Sequence, residues 1–354
     1  MLRKRVNPAT RGRVGSLAVG LSVVVTVVIC GGVVSAASPS IRMTEVRWQQ
    51  SIAELPAPGG GCYHASYPAL HWHMARCEVA PDWPMAPGPI TPQAVGDGND
   101  YVAKVSGTIS QATGSFPMVS PHITETGQVD GIGPQVANAF SLQLNTETFL
   151  TPTCYGSSDP STCYGWQQFV YSSDPNLVFM QYWLIAYNAI CPANWYGPIP
   201  LGSNLDCFVN SLASSIPGNP LTAAGLSTAE LQGSAIAGAN DQVSLSIGSG
   251  QATSVVNSDT MLDLASQWDM TEFGVFGDAG GGEANFGSRT TLETQTTLQS
   301  DSNFRPTCIK GGFTGETNNL KLTDTPAIGT QGSPSIVSKQ TSSRATTSSC
   351  AVAG

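Results

Sequence analysis

From Tyr101 onward the apolar positions recur with a period of two, in short runs set off by Gly, Asn, Ser and Pro. Val136-Ala-Asn-Ala-Phe-Ser-Leu-Gln-Leu144 and Val243-Ser-Leu-Ser-Ile247 alternate apolar with small or polar residues, the pattern of a strand with one buried face. Trp166-Gln-Gln-Phe-Val-Tyr171 is aromatic-rich, and Leu177-Val-Phe-Met-Gln-Tyr-Trp-Leu-Ile185 is a continuous apolar run that fits a central strand covered on both faces. Two more strands are expected at 271–276 and 290–298, joined by the glycine-rich Gly277-Asp-Ala-Gly-Gly-Gly-Glu283. Helical periodicity is confined to 222–231 and 261–268, each worth a few turns. Many short strands with turn residues between them predict an all-β sandwich or barrel.

The ends of the chain read differently. Arg3, Lys4, Arg5, Arg11 and Arg13 precede an apolar stretch at 17–34 and the small residues Ser35-Ala36-Ala37. That order of basic, apolar and small predicts a signal peptide over 1–37, cleaved on export, and no stable membrane insertion afterwards. Residues 38–95 are rich in Pro and Gly and lack a clean period, which predicts an N-terminal extension, either a propeptide or a wrapping arm. The sandwich is then expected over 96–325, with a Ser/Thr-rich tail at 326–354.

Charge narrows the partners. Five of the fifteen Lys and Arg precede residue 37, which leaves ten against all twenty-four Asp and Glu, a formal charge of about −14. Such a surface repels nucleic acid. Between Lys104 and Arg289 there is no Lys or Arg at all, so carboxylates there have no basic neighbour in sequence. Protonating them in acid relieves repulsion more than it breaks ion pairs, and tolerance of acidic medium is expected.

Nine cysteines support an oxidising compartment. With Cys30 set aside in the signal, nearest-neighbour pairing of the other eight gives Cys62–Cys77, Cys154–Cys163, Cys191–Cys207 and Cys308–Cys350 as the simplest connectivity, although sequence alone allows others.

Three stretches carry a resemblance. Val243-Ser-Leu-Ser-Ile-Gly-Ser-Gly-Gln251, Thr271-Glu-Phe-Gly-Val-Phe276 and Glu283-Ala-Asn-Phe-Gly-Ser288 resemble, in that order, motifs of the glutamic peptidases (eqolisins). Phe140 to Leu144 followed by Gln167-Gln168 resembles the family's strand pair that carries its catalytic glutamine. The whole chain is also similar to a group of secreted bacterial proteins with the Trp166–Tyr171 core. The resemblance implies a concanavalin-like double-sheet jelly roll and peptide hydrolysis at acid pH by a Gln/Glu pair. It places Gln167 as the amide and Glu272 as the base. Of the family strand's two same-facing glutamates this chain keeps Glu272 and has Phe276 at the second, which leaves Glu283 as a possible substitute acid.

Other constellations compete. Trp195, Tyr182 and Trp268, with Gln168 beside them, are candidates to grip an extended polymer, since aromatic rings stack on sugars while amides bind hydroxyls; the alternative function is a lectin-like carbohydrate-binding protein without catalysis. The expected partner is thus an extracellular polymer, protein or polysaccharide. His64, His71 and His73 sit near one another in sequence without an acid at tight spacing, so a surface loop is expected and no metal or other cofactor. Asp97-Gly-Asn-Asp100 reads as a turn.

Overall fold

The computed structural model describes residues 44–86, 95–248, 250–301, 305–323, 334–342 and 351–353. The expected signal peptide, Cys30, Cys350 and most of the expected tail lie outside the described residues. The described residues all belong to one unit, Met43–Gly354.

Two ten-stranded antiparallel sheets stack into a sandwich of the jelly-roll class, with a smaller five-stranded sheet at one end. The first large sheet is built around Tyr164–Ser172 and Leu177–Ile185, which pair along their whole length. On one side of this hairpin follow Phe140–Thr146, Met270–Gly277, Asp100–Lys104 and Thr307–Gly311; on the other side Asn204–Asn210 and Tyr196–Leu201. The second sheet runs through Gly61–Ser66, Gln251–Ser258, Asn240–Ile247, Glu230–Ala235, Ile109–Val119, Thr291–Ser300 and Ser335–Thr341.

Alternation decides what each strand buries. Leu142, Leu144, Phe169, Tyr171, Met180, Tyr182, Phe273 and Val275 point from the first sheet into the inter-sheet core, where they meet Ala112, Phe116, Leu231, Val243, Leu245 and Val255 of the second. Phe116 lies 5.1 Å from Phe273, and Phe169 lies 5.5 Å from Trp268, ring centre to ring centre. Gly114 is there because of Phe273, since a Cβ at 114 would stand inside that ring.

Each strand expected from the sequence is present, with ends shifted by a few residues. The two expected helices are only 3-10 turns, Ala223–Thr228 and Leu264–Ser266, and the last two residues of the first already belong to the strand Glu230–Ala235. There Leu231 is buried in the inter-sheet core, so sheet pairing overrides weak helical spacing.

The segment expected as an extension is built into the sandwich. Thr44 caps the helix Glu45–Ala53 through its side chain, which accepts from the Arg47 amide. Trp48 and Ile52 of that helix bury their side chains against Tyr63, Ala65, Ala252 and Val256. Gly61–Ser66 then pairs with Gln251–Ser258, and Glu78–Val79 pairs with Leu212–Ala213 of the first sheet. Within the expected tail, Ser335–Thr341 pairs with Thr291–Thr297.

Three disulfides, Cys62–Cys77, Cys154–Cys163 and Cys191–Cys207, clip short loops, and Cys308 is disulfide-bonded as well. Among the described residues no helix is long and apolar enough to cross a membrane.

Candidate active site

The face of the first sheet turned away from the core carries an unusual polar row. Asn210, Gln181, Gln168, Asn145 and Glu272 stand directly opposite one another across five adjacent strands. At the usual strand spacing the row spans about 19 Å. Aromatic rings flank it on one side: Trp166, Trp183 and Phe208 cluster with Phe313. Phe179, Val170 and Gln143 flank it on the other, two residues along each strand.

The amides are linked. Gln168 Nε2 donates to Gln143 Oε1 (3.2 Å), and Asn145 Nδ2 donates both to Gln143 Oε1 (3.0 Å) and to Glu272 Oε1 (2.9 Å). Trp183 Nε1 donates to Gln168 Oε1 (3.2 Å) and to Gln181 Oε1 (2.9 Å). Gln143 Nε2 donates to Glu316 Oε2 (3.3 Å), a second acid, which also accepts from Thr314 Oγ1 (2.5 Å). The loop that carries Glu316 folds over the end of the row, and its Phe313 and Thr314 amides donate to Glu272 Oε1 at 3.3 and 3.4 Å. Gly312 makes this approach possible, since a Cβ there would overlap Glu272 Oε2 and its φ of +107° disfavours a side chain.

Glu272 is fully buried, and its Oε2, like Asn145 Oδ1 and Asp100 Oδ2, has no hydrogen-bond partner among the described residues. Burial raises the Glu272 carboxyl above the ordinary carboxylate range, opposed by the Asn145, Phe313 and Thr314 donors. Burial, then the nearby Glu272, pushes Asp100 well up and Glu147 up to about 8. Burial pushes Glu316 up to about 7. The site is therefore a cluster of acids whose burial favours the protonated form, beside a chain of amide donors.

The expected residues fall in different places. Gln168 and Glu272 share the polar row. Gln167, one residue from Gln168, faces the opposite way: its side chain is sealed between the sheets, where Nε2 donates to Asp241 Oδ2 of the second sheet (2.9 Å). This placement follows from strand alternation, which sends neighbours to opposite faces. Glu283 opens the strand Glu283–Phe286 of the small sheet, opposite Thr317, rather than joining the row. Phe276 is fully buried on the Glu272 face, opposite Ser141. Tyr182 and Trp268 belong to the inter-sheet core and cannot form an exposed sugar platform, while Trp195 is half-buried against that core. His71 and His73 are exposed neighbours with ring centres 4.2 Å apart. Asp97-Gly98 forms the expected turn.

Sequence reasoning missed Asn145, Gln143, Gln181, Glu316, Asp100 and Glu147. The first three were legible as polar positions inside otherwise apolar strands, but Glu316 comes from a loop with no periodic signal.

No family model matches this sequence, and no curated protein does. Solved structures give a loose match. A scytalido-glutamic peptidase bound to a transition state analog inhibitor overlaps 69% of this chain and 98% of its own, with a TM-score of 0.30 and 12% identity. SCP-B, a member of the eqolisin family of peptidases in complex with the tripeptide Ala-Ile-His, overlaps 68% of this chain and 97% of its own, with a TM-score of 0.24 and 10% identity.

Proposed function

We propose that this chain is an exported peptide hydrolase that works in acid medium, with Gln168 and Glu272 as its catalytic residues. The observation that carries the reading is the single row in which Gln168, Asn145 and Glu272 face one another across three neighbouring strands. Asn145 orients Glu272 by donating to one carboxylate oxygen and leaves the other oxygen unpaired.

The chemistry needs two roles. Glu272, ionised, takes a proton from water as the hydroxyl adds to the peptide carbonyl carbon. The Gln168 amide donates to the carbonyl oxygen as negative charge develops there. Glu272 then passes its proton to the amine nitrogen as the carbon–nitrogen bond breaks, which returns the carboxylate.

The test uses denatured casein at about pH 3, 4 and 5, within the range where carboxylates exchange protons. Glu272→Gln is expected to lose about 100-fold or more of the rate, the usual cost of removing a proton-transfer group. Gln168→Ala is expected to lose about 100-fold, as for other oxyanion donors. Gln167→Ala serves as the comparison, because its side chain lies on the far face of the sheet. A rate that survives both Glu272→Gln and Gln168→Ala removes this assignment.

A further inference from the structure

The polar row is not open to solvent: Gln143, Asn145, Gln168, Gln181 and Glu272 are all fully buried. Besides the Phe313 loop, the cover over them is residues 81–86, Pro-Asp-Trp-Pro-Met-Ala, which run across the strands rather than alongside them. The segment is held as a bound peptide would be, through its backbone. Asn210 Nδ2 donates to the Pro81 carbonyl (2.6 Å), and Gln181 Oε1 accepts from the Met85 amide (2.8 Å) while its Nε2 donates to the Trp83 carbonyl (3.4 Å). The Gly280 amide donates to the Pro84 carbonyl (3.1 Å), and the Gly315 amide donates to the Ala86 carbonyl (2.8 Å). Met85 alone is fully buried; its side chain enters a pocket with Val170, Phe179 and Ala279, and its sulfur lies 3.8 Å from Gln143 Nε2.

Strands in this sheet satisfy one another backbone to backbone. Residues 81–86 instead take their partners from side-chain amides of the row and from two loop glycines.

We propose that residues 81–86 are an intramolecular peptide ligand of this trough, that they keep the site closed, and that the trough accepts extended peptides with an unbranched apolar side chain in the Met85 pocket. The fate of a bound peptide rests on the hydrolase reading; the binding itself does not. The segment enters from a fixed point, since Glu78–Val79 is paired to Leu212–Ala213 and Cys77 is tied to Cys62. Opening therefore requires release of residues 80–86, between that anchor and Val95–Gly96, which is paired to Thr317–Asn318. Asp82 is exposed and places the one charge of the segment away from the trough.

The test compares the full chain with Met85→Asp, which would put a carboxylate into the apolar pocket, and with the milder Trp83→Ala/Met85→Ala pair should the first not fold. Amide hydrogen exchange at Met85, Gly280 and Gly315 is expected to be slow in the parent and about tenfold or more faster in the variant. A fluorescein-labelled peptide with the sequence of residues 81–86 is expected to bind the variant about tenfold or more tightly than the parent, and to lose that binding when Gln181→Ala is added. Casein cleavage about tenfold or more faster in the variant than in the parent supports both this inference and the hydrolase. Peptide binding without cleavage supports the inference and removes the hydrolase. Fast exchange at Met85 in the parent, or a folded variant that binds no peptide, overturns the inference.

Discussion

The fold should be more stable in acid than at neutral pH, and the size of the effect can be worked from three buried acids. Burial, then the neighbouring Asp278, pushes Glu125 up to about 8; burial pushes Asp278 up to about 8 and Glu316 up to about 7. All three are 2% exposed or less. In the unfolded chain each ionises near about pH 4. Below that both states carry the proton, and the folded state keeps its full advantage. Between about pH 4 and the folded value, the unfolded chain has released a proton that the folded chain still holds. Stability therefore falls as pH rises through this window, by about 1.4 kcal/mol per pH unit per group.

One such carboxyl costs about 3 kcal/mol between pH 4.5 and pH 7. Three added together would rival the entire stability of a domain, about 5–15 kcal/mol. Glu125 and Asp278 feel each other, so their contributions do not add independently; with the pair counted as one group beside Glu316, a loss of about 6 kcal/mol is the expected total. Trp48, Trp166, Trp183 and Trp268 are fully buried, so their fluorescence reports unfolding. With a urea slope of about 3 kcal/mol per molar for a chain of this size, the midpoint should fall by about 2 M from pH 4.5 to pH 7. Asp278→Asn should flatten the dependence, because it removes one titrating group and the charge that acts on Glu125. A midpoint that stays level or rises toward pH 7 would refute the reasoning, and with it the claim that these acids are protonated in the fold.

Other perturbations have defined outcomes. Gln167→Leu leaves the buried Asp241 without its donor and should cost about 1–3 kcal/mol in urea unfolding, with casein cleavage unaffected if Gln168 is the catalytic amide. Phe273→Ala should cost about 3–5 kcal/mol, because Gly114 opposite leaves no side chain able to fill the space. Gly312→Ala should cost about 1–3 kcal/mol and displace the loop amides from Glu272, read as a changed acid limb of the pH–rate profile. Removing Cys191–Cys207 should cost about 2–4 kcal/mol, and about 0.5 kcal/mol more than removing Cys154–Cys163, whose loop is shorter at 9 residues against 16.

The strands were legible because period-two alternation is a local signal and the sandwich rewards it on both sheets. Phe140–Thr146 and Leu177–Ile185 show how far that reaches: one half of each strand meets the core, and the other builds the trough, with Ser141, Gln143 and Asn145 from the first and Gln181 among Phe179 and Trp183 from the second. The choice between Gln167 and Gln168 was not legible. Both are glutamines in one strand, and only the register against Asn145 and Gln181 tells which one faces the acid. The helix Glu45–Ala53 was hidden by its surroundings, a short amphipathic stretch in a Pro/Gly-rich region, stabilised by Trp48 and Ile52 against the edge strands rather than by length. Residues 335–341 read as part of a Ser/Thr-rich tail, yet threonine and serine suit a strand whose partners at 291–297 are themselves threonine and glutamine.

Closure and chemistry in this trough have one physical cause. The Phe313–Glu316 loop and residues 81–86 cover the polar row, and burial is the leading cause that raises the carboxyls of Glu272, Asp100 and Glu316. A covered Glu272 is biased toward its protonated form, which cannot take a proton from water; an uncovered one regains solvent, and its affinity for the proton falls back toward that of an ordinary carboxyl. Displacing the segment would thus admit a peptide and, in the same movement, bring Glu272 into the range where it can accept a proton from water. The Asn145 hydrogen bond, made from within the sheet, would keep the carboxylate aimed along the row in either state.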